Sequence, residues 1–287
     1  MNTKKAYVIG TNVSTSMSPT IFRYWFNKHN INGAEYRYKE IKEENFDKEI
    51  KSIFQEEGLA GLNITIPYKE KILYYLDNKK PHLKPPSVNC VTIKKTDDSK
   101  NPTVIKLGKN TDAVGFDKAL YNSGLSDFFY ARKNCCAIVL GYGGVAKAVI
   151  QSLLLDSNFK RIIVFNRTFS KLNNIKEVFD NEIESYKIED LNKHIKSAQL
   201  VVSTTPINPL GGSTKWNIDS ACVGFDVVYR PKEGTGFLNH FKKNKRIEGI
   251  HMLIHQAAPC FKEWFGVEPK TNDVDLLETL YKKMIEK

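Results

Sequence analysis

Apolar positions along the first hundred residues recur in two alternating periods, one suited to strands and one to helices. Lys5–Gly10 (KAYVIG), Glu35–Ile41 and Gly61–Thr65 read as strands, and Ser87–Lys95 and Thr103–Leu107 as two further β-rich stretches. Between them, Pro19–His29 carries Ile21, Trp25 and Phe26 at helical spacing, and Glu43–Phe54 places Phe46, Ile50, Ile53 and Phe54 on one face. Pro67 is expected to open another helix toward Leu76. From Cys135 the alternation restarts, with strands at Cys135–Leu140, Arg161–Phe165 and Leu200–Ser203 and helices at Val145–Leu155 and Leu172–Phe179. After Gly249 the pattern is helical, with Leu253, Ala257, Phe261 and Trp264 on one stripe. Strands separated by helices argue for mostly parallel sheets covered on both faces. The fold class expected is therefore α/β in two units, with a linker near Ser123–Asn134 and a helical C-terminal stretch.

Composition agrees and removes some alternatives. The 287 residues suit two domains, and 41% hydrophobic with 26% charged residues is an ordinary globular balance. The apolar runs are short for a membrane span, and Met1–Lys5 leads into a stretch without the features of a signal peptide. The five cysteines show no metal-ligand or redox spacing, and read as buried, reduced thiols of a cytoplasmic protein, with Cys135 and Cys136 facing opposite sides of one strand. A net charge of +11 admits a nucleic-acid partner or a basic surface that attracts small anions. The lysines are dispersed, with no basic arm, and this favours the second reading.

Candidate chemistry clusters at strand ends. Gly141-Tyr-Gly-Gly-Val-Ala-Lys-Ala148 follows an apolar strand and opens a helix. Gly141 suits the tight turn, while Gly143 and Gly144 let a pyrophosphate approach the N–H groups of the helix start. The next strand ends in Asn166-Arg167-Thr168, with Lys171 nearby. An arginine at the place of the usual ribose-binding acid favours the 2′-phosphate of NADP. In the first domain, Ser14-Thr-Ser16-Met-Ser18-Pro19 reads either as a helix cap, with Ser18 at the N-cap, or as hydroxyls for a carboxylate. Gly61–Lys69 delivers Thr65 and sets Lys69 in the first turn of the helix expected at Pro67. A cation there opposes the helix dipole, which favours the neutral amine and suits proton transfer. Asp112, in Lys109-Asn-Thr-Asp-Ala-Val-Gly115, is a helix cap or a partner that holds Lys69. His251 and His255 lack a third ligand, so no metal is implied.

In this order the segments resemble the shikimate dehydrogenase family: Ser16-Met-Ser18-Pro19, Asn63–Lys69, Ser87-Val-Asn89-Cys90, Asn110–Gly115, the glycine loop, Asn166-Arg-Thr168, Asp226-Val-Val-Tyr229-Arg-Pro and Met252–Ala258. The resemblance implies NADP-dependent interconversion of 3-dehydroshikimate and shikimate, in chorismate and aromatic amino-acid biosynthesis, by a monomer or homodimer without nucleic-acid or membrane partners. It implies a two-domain α/β fold: an N-terminal substrate domain at 1–122 completed by 252–287, a Rossmann-type NADP-binding domain at 123–251, and C-terminal helices that return to the first. It implies catalysis by Lys69 and Asp112, and substrate contacts from Ser16, Ser18, Thr65, Asn89, Asp112, Tyr229 and Gln256. Cofactor contacts would come from Gly141, Gly143, Gly144, Val145, Asn166, Arg167, Thr168, Lys171, Thr204, Val227 and Gly249, with substrate and nicotinamide meeting in a cleft that closes. Departures from the family pattern are Thr15, Cys90, Lys109 and the longer turn Ile207-Asn-Pro-Leu210. Two alternatives stand beside this reading: a quinate/shikimate dehydrogenase of broader specificity, and a non-catalytic NADP(H)-sensing protein on the same fold.

Overall fold

The computed structural model describes residues 3–78, 86–95, 103–179, 183–211, 216–229 and 235–285. Its chain forms two compact units. The first comprises residues up to Thr111 together with Ala257–Lys283, and the second comprises Asp112–Gln256 with the last residues from Met284.

The first unit holds a five-stranded sheet, made of β1 (Lys4–Gly10), β2 (Ala34–Glu40), β3 (Leu59–Ile64), β4 (Cys90–Lys95) and β5 (Val104–Lys109), in the order β2-β1-β3-β4-β5. The first three strands run parallel, whereas β4 and β5 pair antiparallel, so the sheet is mixed. Alternate residues of β1 and β3 divide between two cores. Tyr7, Ile9, Leu62 and Ile64 pack with Phe46, Ile50 and Ile53 of the Phe46–Ile53 helix. On another side lies an aromatic cluster, in which Phe22 of the Ser18–Lys28 helix stacks on Tyr36 at 3.8 Å and Trp25 meets Phe261 at 5.2 Å. The Gly249–Phe265 helix comes close to the sheet here, because a Cβ on Gly61 would stand 2.1 Å from Trp264 Nε1.

The second unit holds six parallel strands: β6 (Cys135–Leu140), β7 (Phe159–Asn166), β8 (Ile183–Lys187), β9 (Leu200–Ser203), β10 (Val223–Asp226) and β11 (Arg246–Glu248). Their order, β11-β10-β9-β6-β7-β8, reverses direction at β6, which is the doubly wound dinucleotide-binding arrangement. Cys135, Ala137 and Val139 face one core while Cys136, Ile138 and Leu140 face the other, so the two adjacent cysteines point to opposite sides. All five cysteines are free and buried. Among the described residues no helix is long and apolar enough to cross a membrane.

Three expectations shift. The chain changes units at Thr111/Asp112 rather than at 122/123, and again at Gln256/Ala257 rather than 251/252. The cause is packing: Phe116, Ala119 and Leu120 of the Asp112–Leu120 helix enter the second unit's core, and Phe116 stacks on Phe225 at 5.0 Å. The expected linker at Ser123–Asn134 is instead largely helical turns pinned by Phe129, whose ring packs on Phe159 at 5.4 Å. Second, no α-helix starts at Pro67. Tight turns lead to a 3₁₀ segment at Lys71–Tyr75. Tertiary ties account for this, since Tyr68 stacks on Phe46 at 4.1 Å and its hydroxyl donates to the Ile41 carbonyl across 2.5 Å. A helix is likewise absent across the whole of Leu172–Phe179, where a 3₁₀ turn at Phe169–Leu172 and a short helix at Ile175–Val178 stand in its place.

Candidate active site

In the first unit the candidate residues gather at the carboxyl ends of β1 and β3 and in the segment that enters β4. Backbone bonds lock these segments together. Thr65 N–H donates to Ile9 O (2.9 Å), Ile64 N–H to Asn89 O (2.9 Å), and Val88 N–H to Lys69 O (2.8 Å). Gly10 leaves room for Thr65, whose Cγ2 would lie 2.6 Å from a Cβ at that position. Lys69 is only 7% exposed, and Asn89 3%. Burying a long cationic side chain is costly unless it is paired or used. Because Lys69 sits in a turn rather than in an α-helix, the helix-dipole argument for its neutral form does not apply.

The carboxamide of Asn89 is held in one orientation. Its Oδ1 accepts from Thr111 N–H at 2.7 Å, and its Nδ2 donates to Thr111 Oγ1 at 3.0 Å. Behind it, Asn63 Nδ2 donates to the Asn89 carbonyl (3.1 Å), and Tyr36 donates its hydroxyl proton to Asn63 Oδ1 (2.7 Å). Asn110 Nδ2 donates to Ser87 O and Oγ at 3.0 and 2.8 Å, which fixes the other side of the same segment. Among the serines, Ser16 Oγ accepts from Ser18 N–H at 3.3 Å. Met17, not Ser18, occupies the N-cap position, and Ser18 is already helical and buried.

In the second unit Asp112 opens its helix and is 5% exposed. Gln256 Nε2 donates to Leu253 O (3.0 Å), and a Cβ on Gly115 would lie 2.7 Å from Gln256 Cβ, so these two helices touch. Gly141 adopts φ +103°, a conformation that favours glycine, and an added Cβ would stand 2.6 Å from Thr204 Oγ1. A Cβ added to Gly143 would meet no atom within 4 Å, so the backbone ahead of the Gly144–Leu155 helix borders open space. Gly141, Asn166, Arg167, Thr168 and Lys171 line one cavity of about 330 Å³, which Phe165, Ile188 and the Thr205–Pro209 loop complete. Among the described residues no carboxylate lines it. Two cations and the polar Asn166 and Thr168 at the tip of β7, with an apolar wall opposite, fit a ribose 2′-phosphate and its base.

Val227, Tyr229 and Gly249 do not line this cavity. Val227 and Gly249 meet each other past β10 and β11, where a Cβ on Gly249 would stand 2.4 Å from Val227 O. Tyr229 is half-buried, while Arg230 and Pro231 of its motif lie outside the described residues. Sequence reasoning missed Ile188 and the Pro206–Pro209 wall as site residues. Their signal was positional, because each follows the carboxyl end of a strand, β8 for Ile188 and β9 for the Pro206–Pro209 wall. It also missed Asn63 and Thr111, which position Asn89.

Fold and site together define a class: a two-unit α/β protein whose second unit is Rossmann-type. Residues 8–91 match the shikimate dehydrogenase substrate binding domain, and residues 126–210 match the shikimate/quinate 5-dehydrogenase domain. A shikimate dehydrogenase (NADP(+)) from Bartonella tribocorum is 31% identical over 283 residues, covering 93% of this chain and 90% of its own. The chain belongs to the shikimate/quinate dehydrogenase family. Shikimate dehydrogenase from Aquifex aeolicus superposes with a TM-score of 0.74 at 26% identity, over 99% of this chain and 98% of that one. Quinate dehydrogenase from Corynebacterium glutamicum, in complex with NAD, superposes at 0.76 over 98% and 100% of the chains; at 22% identity this is a likeness of fold alone.

Proposed function

We propose that this chain is an NADP-dependent shikimate dehydrogenase, which reversibly reduces 3-dehydroshikimate to shikimate. The observation that carries the reading is Lys69, a buried lysine at the end of β3 whose backbone is tied to the strand-entry segment bearing Asn89. The cavity around Arg167, lined by two cations and by no carboxylate among the described residues, supports NADP over NAD.

The dinucleotide, when bound, supplies the hydride. Arg167 and Lys171, with Asn166 and Thr168, hold the 2′-phosphate. Backbone N–H groups at Gly143, Gly144 and Val145 receive the pyrophosphate at the helix N-terminus, and Gly141, Thr204, Val227 and Gly249 border the rest of the dinucleotide. Ser16 and Ser18 hydroxyls bind the substrate carboxylate. Thr65, Asn89, Asp112, Tyr229 and Gln256 orient the ring hydroxyls. As the substrate carbonyl is reduced, Lys69 donates the proton its oxygen needs; in the oxidative direction Lys69 takes the hydroxyl proton, assisted by Asp112.

Steady-state oxidation of shikimate and quinate, each with NADP+ and NAD+, tests the reading. The expected result is the highest kcat/KM for shikimate with NADP+. Tight NADPH binding with no turnover of shikimate would point to a sensor, and a preference for quinate with NAD+ would overturn both assignments.

A further inference from the structure

Two thiols share a polar cluster in the first unit. Cys90 opens β4 directly after Asn89, and its partner across the antiparallel ladder is Asn63. Cys260 lies on the Gly249–Phe265 helix, and neither cysteine has any exposed surface. Asn63 Nδ2 donates to Cys260 Sγ across 3.3 Å, and Thr111 Oγ1 lies 3.7 Å from the same sulfur; Cys90, directly opposite Asn63 in the ladder, shares that face of the sheet. Two polar groups thus converge on one buried sulfur. A cysteine serving as a small hydrophobe needs none of them. The sulfurs of Cys135 and Cys222, by contrast, face the backbone carbonyls of Arg132 and Val223.

The surroundings make the two sulfurs unequal. Burial disfavours charge on both. At Cys260, the bonds from Cys90, Asn63 and Thr111, with the charge of Lys109, outweigh burial and hold the thiol below its ordinary value. At Cys90, burial and the bond to Cys260 both push the thiol up. Cys260 is the sulfur suited to react first, and Cys90 the one suited to resolve.

The geometry points to Cys90 and Cys260 as a reversibly oxidisable pair, a modification site whose disulfide perturbs the neighbouring Asn89. A hydroperoxide such as hydrogen peroxide oxidises the Cys260 thiol to a sulfenic acid and leaves as water. The Cys90 sulfur then attacks the Cys260 sulfur: an S–S bond forms, the S–O bond breaks, and the departing hydroxide takes the Cys90 proton as a second water. Two thiols lose two electrons, and one peroxide becomes two waters. The disulfide, about 2.05 Å long, takes a charge-capable acceptor from Asn63 and Thr111. Thr111 also holds the Asn89 carboxamide, so the change reaches that side chain. Because both sulfurs are buried, the reaction waits on local opening of the helix from the sheet and proceeds faster in mild urea.

The test treats the full-length protein with hydrogen peroxide or diamide, alkylates the remaining thiols under denaturing conditions, and maps peptides by mass. The expected product is a single Cys90–Cys260 cross-link that lowers the intact mass by about 2 Da and is reversed by dithiothreitol. Cys90→Thr and Cys260→Ala are expected to form no cross-link under the same treatment. Persistence of all five thiols in the wild type, or cross-linking to another cysteine, overturns the assignment. An activity arm rests on the reading of Asn89 as a substrate contact. There, kcat/KM for shikimate is expected to fall about tenfold on oxidation, as for loss of a well-placed hydrogen bond, and to recover with reductant. A cross-link that leaves kcat/KM unchanged overturns the link to Asn89, whereas shikimate inactivity of the untreated protein indicts the enzyme reading and leaves the thiol result standing.

Discussion

Arg167 stands exposed at the tip of β7, on the rim of a cavity that also receives Lys171. A guanidinium there can bind a 2′-phosphate through two parallel hydrogen bonds. Arg167→Ala is expected to raise the Kd for NADPH about 10–100-fold, the worth of a hydrogen bond to a charged group. NADH, lacking that phosphate, should bind almost as before, so a fluorescence titration of both nucleotides decides the point; equal weakening would remove the phosphate contact. Arg167 was legible in the sequence because its meaning depends on local context, a strand end with no acid beside it. Ile188 and Ile207 were not, since they reach the cavity from two loops that only the parallel sheet brings together. Lys69 was legible as a residue but for a mistaken reason. Its neighbourhood is set by the Tyr68–Phe46 stack and not by a helix dipole.

Among the elements, the Gly249–Phe265 helix carries the largest share of long-range consequences. Trp264 Nε1 donates to Thr92 Oγ1 at 3.2 Å, and the indole lies against Gly61. Gly61→Ala would put a methyl group 2.1 Å from Nε1 and 2.6 Å from the Val91 carbonyl. Overpacking of this kind costs about 1–3 kcal/mol, or more where backbone must move, and urea unfolding should show a lowered midpoint. The same helix holds His255, 4% exposed, whose pKa is lowered from 6.5 to about 4 by burial, helped by His251 and Lys118. The unfolded chain therefore takes up a proton that the folded helix refuses. The stability tied to neutral His255 is fully present above pH 6.5 and is lost as pH falls through the window toward 4. Unfolding free energies at about pH 7.5 and about pH 5 should differ by about 2 kcal/mol in the wild type and by less in His255→Leu. An equal drop in both proteins would place the sensitivity elsewhere. At this scale the sequence revealed all five strands of the first unit and β6, β7 and β9 of the second, because burial on both faces leaves unbroken apolar runs such as Cys135–Leu140. It passed over β8, β10 and β11, whose three to five residues are too few to show a period. It misjudged the boundary at 122/123, because only tertiary packing shows that Phe116 and Phe129 belong to the second unit's core.

For the whole molecule, a net charge of +11 bears on encounter rather than on fold. Both proposed ligands are anions, and exposed lysines draw them in through a field that salt screens. KM for NADPH is expected to rise several-fold between about 0.05 and 0.5 M salt, while kcat changes little; a KM indifferent to salt would confine recognition to short-range contacts. The proposed chemistry, by contrast, rests on one amine. The most direct measurement is NADPH-dependent reduction of 3-dehydroshikimate by Lys69→Ala, alongside its affinity for NADPH. The account predicts that turnover falls by about 10²–10⁴-fold while NADPH binds as it does to the wild type. Turnover at the wild-type rate would contradict it.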